Sequence, residues 1–111
     1  MFRYLVTSVF LLIYIPASLA AEKSELSFQS GVKYFKKKEY KSALSFFKKA
    51  HTQGMRKSSL YYNLGVSYYK LGLYNEAKTN FNHLSNDNNF KQIINFNLGL
   101  IAEKQKQKKN Q

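Results

Sequence analysis

Tyr61-Tyr62-Asn63-Leu64-Gly65-Val66-Ser67-Tyr68-Tyr69-Lys70-Leu71-Gly72, residues 61–72, decides how the chain folds. Its apolar and aromatic residues recur at spacings of three and four, which is helical periodicity, and Gly72 is a natural left-handed stop. A step of 34 residues toward the N-terminus carries Gly65 onto Gly31 and Tyr68 onto Tyr34, and a step the other way carries Gly65 onto Gly99. Beyond the stop, Tyr40 returns as Tyr74, Ala43 as Ala77 and Phe47 as Phe81 at the same interval. Agreement at one fixed period across both halves of a unit marks a repeat architecture, in which each unit buries its apolar face against its neighbours.

Each unit reads as two helices. Apolar residues at helical spacing run from Leu26 to Phe35 and, after the polar Lys36-Lys37-Lys38-Glu39, from Tyr40 to Ala50. In the second unit the corresponding runs are Leu60 to Leu71 and Tyr74 to Leu84, while Gly54 and Ser85-Asn86-Asp87-Asn88-Asn89 separate the units. The pattern predicts an all-α fold of five helices, at about 24–38, 40–53, 58–71, 74–86 and 90–107. Small residues belong where helix backbones approach and aromatic ones between hairpins, so Gly31, Tyr34, Ala43, Phe47, Gly65, Tyr68, Ala77, Phe81 and Gly99 are the expected packing set.

At these residues the chain resembles the tetratricopeptide-repeat (TPR) family, whose pattern runs W-x-x-L-G-x-x-Y, then A-x-x-x-F, then P. The second unit matches through Tyr61, Leu64, Gly65, Tyr68, Ala77 and Phe81. The first keeps Gly31, Tyr34, Ala43, Phe47 and Ala50 but has Ser27, Ser30 and Met55 in place of the Trp, Leu and Pro, and Lys37-Lys38 in place of the usual Leu-Gly turn. The third shows a first helix only, with Asn95, Leu98, Gly99 and Ala102. The resemblance implies repeats at 24–57 and 58–91, a partial third at 92–104 and a basic polar tail at 105–111. It also implies a helical-hairpin solenoid and a non-catalytic role in binding other proteins.

Residues 1–20 read as a signal peptide: Arg3, an apolar run from Tyr4 to Ile15, then Pro16-Ala17-Ser18-Leu19-Ala20 with small residues at the cleavage positions. The expectation is export to the periplasm or beyond. The alternative is an uncleaved inner-membrane anchor over residues 4–21, the one case in which a membrane would be a partner. With no cysteine in the sequence, there are no disulfides, thiolate metal sites or lipidated cysteine. From Ala21 onward there are 17 Lys and Arg against 6 Asp and Glu. Such a field favours acidic partners; anionic lipid, cell-wall polymer or nucleic acid bound by charge is the alternative function, with export arguing against nucleic acid.

Catalytic and ligand-binding chemistry is not legible. His51 and His83 occupy different places in their repeats, and neither has a second histidine three or four residues away. Glu22 and Glu25 read as helix-dipole chemistry, and Asp87 among asparagines as a polar turn without the further carboxylates of a calcium loop. There is no glycine-rich phosphate loop, and no cofactor is expected. Some members of the resembled family clamp a partner's C-terminal carboxylate. Asn63 and Asn97 would suit that role, but Phe28, Val32 and Ile93 stand where Lys or Asn is required.

A second apolar stripe accompanies the packing residues. Phe28, Val32 and Phe35 lie at i, i+4 and i+7; Tyr62, Val66 and Tyr69 repeat them 34 residues on, and Phe96 and Leu100 continue the row. This stripe is the expected concave groove for a peptide or amphipathic helix, with Lys36, Lys70 and Lys104 at its rim attracting acidic flanks. The last helix carries apolar residues on more than one face, so a second copy or another protein is expected to cover it.

Overall fold

The structure, a computed structural model, describes residues 2–111, with side chains from residue 17 onward. The leader expected at 1–20 therefore lies for the most part outside the described side chains. Five helices follow one another: α1 Phe2–Lys36, α2 Tyr40–Thr52, α3 Ser58–Lys70, α4 Tyr74–Asn82 and α5 Lys91–Lys109. No strand occurs among the described residues. The first helix of the repeat region is thus the C-terminal part of a longer helix, and α4 stops at Asn82, short of the expected end near 86. The Asn-rich stretch that follows is held through Asp87 instead, which accepts hydrogen bonds from Ser58 Oγ of α3 at 2.7 Å and from the Asn89 amide at 3.0 Å. Among the described residues no helix is long and apolar enough to cross a membrane.

The helices pack in chain order: α1 on α2, α2 on α3, α3 on α4 and α4 on α5. Two clusters form the core. Ala43, Leu44, Phe47, Ala50, Met55, Leu60 and Leu64 make one, and Ala77, Phe81, Leu84, Ile94 and Ile101 the other. Leu60 and Leu64 of α3 belong to the first cluster although α3 pairs with α4, so α3 is covered on two sides. Tyr68 packs against both clusters.

Inside each hairpin the repeated glycine meets the repeated phenylalanine. A Cβ on Gly31 would lie 2.5 Å from the Phe47 ring, and one on Gly65 2.6 Å from that of Phe81. Both phenylalanines are fully buried, and each contributes roughly 1.5–3 kcal/mol through the apolar area removed from water. Gly99 departs from its expected packing role: it is exposed, with no atom within 4 Å of the place a Cβ would take.

Both intra-hairpin turns have the same hydrogen bonds. The amides of Lys38 and Glu39 donate to the carbonyls of Phe35 and Tyr34; those of Gly72 and Leu73 donate to Tyr69 and Tyr68. The left-handed position is Gly72 in the second turn, at φ 77°, and Lys38 in the first, at φ 60°. A lysine there carries a steric cost that glycine avoids.

Candidate functional site

The groove residues are built into the hairpins more deeply than their spacing suggested. Phe28 sits against Phe47 with ring centroids 5.7 Å apart, and Tyr62 repeats the contact on Phe81 at 6.2 Å. At the other end of each stripe Phe35 meets Tyr40 at 5.4 Å and Tyr69 meets Tyr74 at 5.6 Å. An aromatic ring is wide enough to touch the second helix from a position beside the packing face, so the ends of the stripe help hold each hairpin closed. Phe28, Val32, Phe35, Tyr62, Val66 and Tyr69 are half-buried, with one side on the core; Leu100 is half-buried too, whereas Phe96 is 65% exposed. The expected rim lysines Lys36, Lys70 and Lys104 are exposed. Lys70 lies 5.9 Å from the centre of the Tyr40 ring and so reaches from the second hairpin to the first. Lys57 similarly sits 5.2 Å from the Phe28 ring centre while pairing with Glu25 at 2.7 Å.

The two asparagines suited to a carboxylate clamp are turned inward on their own helices. Asn63 Nδ2 donates to the Ser59 carbonyl and Asn97 Nδ2 to that of Ile93, each at 2.8 Å.

One constellation was not visible in the sequence. His51 on α2 and His83 at the end of α4 converge on Tyr61 of α3, His83 stacked at 4.5 Å and 21°, His51 edge-on at 5.9 Å and 74°. They line a cavity of about 290 Å³ together with Lys48, Thr52 and Asn80. The two histidines are 32 residues apart and so off the repeat period, and only Tyr61, at the position of the family's Trp, hinted at a filled junction. Burial lowers the His51 pKa, helped by the nearby charges of Arg56 and His83. No group of three or more His, Cys, Asp or Glu side chains gathers to hold a metal ion among the described residues.

With these hairpins in view, residues 58–85 match the family model described as "Tetratricopeptide repeat". This segment is a tetratricopeptide repeat. The match covers α3, the Gly72 turn, α4 and the start of the following turn. No curated protein matches the chain significantly. TPR proteins are typically non-catalytic and bind other proteins, so this chain is read as a protein-interaction module.

Proposed function

We propose that this TPR protein is an exported, non-catalytic adaptor that holds an acidic peptide or amphipathic helix over the stripe on its first helices. The observation that carries the reading is the repeated half-burial of Phe28, Val32 and Phe35 and of Tyr62, Val66 and Tyr69. Each is anchored on one side by its own hairpin and retains an accessible side, which makes a rigid apolar ledge whose ordering cost is already met. Exposed Lys36, Lys70 and Lys104 supply the charge that favours acidic flanks. Export rests on the composition of residues 1–20, and the apolar α5, with Phe96 and Leu100, is proposed as a site of self-association.

Photocrosslinking in the host tests this, with the probe at Val66 and a control at exposed Lys78 on α4. Crosslinks to one protein at Val66 and none at Lys78 are expected. Equal crosslinking at both positions, or none at Val66, rejects the ledge. Purified partner binding should change little between low and moderate salt; a steep loss would favour the charge-driven alternative.

A further inference from the structure

We propose that the cavity around Tyr61 is an anion site, taking a carboxylate or a tetrahedral oxyanion between α2, α3 and α4 with an affinity that rises as the pH falls. Every titratable or charged group facing it is basic or phenolic. Helix α2 contributes Lys48 and His51, α3 contributes Tyr61 and Tyr68, and His83 stands just past the end of α4. From the α2–α3 loop, Arg56 Nη1 donates to the His51 carbonyl at 2.7 Å, adding its charge behind the imidazole. No carboxylate lines the cavity. A cation entering it would meet Lys48, with the charge of Arg56 nearby, whereas an anion would meet the lysine and two imidazoles that become N–H donors at both ring nitrogens once protonated.

Tyr61 organises the pair. Stacked on His83 and meeting His51 edge-on, its ring brings both imidazoles to one opening. Burial and the neighbouring positive charges oppose protonation of His51. A bound anion supplies the missing countercharge, so anion binding and proton uptake favour each other. The volume, about 290 Å³, suits one acidic side chain or one oxyanion with its water. The first hairpin has no counterpart, because Ser27 replaces the tyrosine and its hydroxyl donates to Gln53 Oε1 at 2.7 Å.

Two probes separate the sources of the anion. Sulfate keeps its charge over the range that matters, and an N-acetylated, C-amidated tri-glutamate peptide presents carboxylates alone. Imidazole NMR signals of the full chain are followed while each probe is added at constant ionic strength, at about pH 5.5 and pH 7.5, values that bracket histidine titration. The expected result is a Kd roughly tenfold lower at the acidic pH, from coupled histidine protonation. That gain should be lost in His51→Gln and in His83→Gln, and affinity reduced at both pH values in Lys48→Gln. Tighter binding of the peptide assigns the site to acidic side chains, and tighter binding of sulfate to oxyanions. Neither probe shifting the His51 and His83 signals, or equal affinity at both pH values, overturns the proposal. His83 and Lys48 are exposed, so their replacement leaves the core intact and the test stands if His51→Gln perturbs folding.

Discussion

The two hairpins place equivalent residues in equivalent contacts although many of their side chains differ. Gly31 under Phe47 and Gly65 under Phe81 are equivalent pairs with nearly the same separation, and the outer ring contacts of Phe28 and Phe35 recur with Tyr62 and Tyr69. Where the hairpins depart from one another, the departures follow position in the array. Lys33 is exposed on α1, but its counterpart Ser67 is completely buried because α2 covers that side of α3. Ser27 makes one hydrogen bond to Gln53, whereas Tyr61 gathers two histidines from neighbouring helices. Shared residues thus set the geometry of a hairpin, and unshared ones give its surfaces their individual chemistry.

The strongest way to break the equivalence is at the glycines. Gly31→Leu and Gly65→Leu should each lower stability by about 3 kcal/mol, because the buried phenylalanine above cannot withdraw. Gly99→Leu should show no such loss, since nothing faces it. Urea denaturation of the three variants makes the comparison, and equal behaviour at Gly65 and Gly99 would remove the packing role.

Next is Ser67, whose fully buried hydroxyl has no hydrogen-bond partner. Ser67→Ala should raise stability by roughly 1–2 kcal/mol, the cost of an unsatisfied buried polar group, while exposed Lys33→Ala should change it by less than about 0.5 kcal/mol. A loss of stability in Ser67→Ala would mean that the hydroxyl is satisfied after all. The turns give a reciprocal exchange of about 1 kcal/mol, with Lys38→Gly stabilising and Gly72→Lys destabilising. Melting temperatures moving in opposite directions are the expected readout.

The smallest effect is one of pH. Burial, Arg56 and His83 hold the folded-state pKa of His51 below its usual 6.5. The unfolded chain then binds more protons than the folded one as pH drops through 6.5, so stability from this residue is present above that value and lost below it. Without multivalent anions, the melting temperature should be slightly lower at about pH 5.5 than at pH 7.5, and His51→Gln should weaken the difference.

The periodic residues made most of this fold legible. Gly31, Gly65, Phe47 and Phe81 repeat because a helix crossing tolerates little else, and their interval carries that constraint into the sequence. The position of the first turn was readable from the polar run around Lys38, but its left-handed backbone was not, since a left-handed lysine is held by surrounding hydrogen bonds and not by its own preference. The candidate groove was readable as a stripe, but its anchoring on Phe47, Phe81, Tyr40 and Tyr74 was not, because spacing along one helix says nothing of how far a ring reaches. The histidine cavity was invisible for a different reason. Three separate helices build it, and His51 and His83 share no register.

Tyr68 touches the cores of both hairpins. A side chain shared in this way turns two neighbouring units into a single cooperative block, since neither hairpin opens without stripping the ring from its own core. Amide exchange should therefore be slowest in α2 and α3, where helices are shielded from both directions, and should quicken toward the far end of α5. The rhythm of local opening along this chain is set less by the repeated unit than by the junction between two of them.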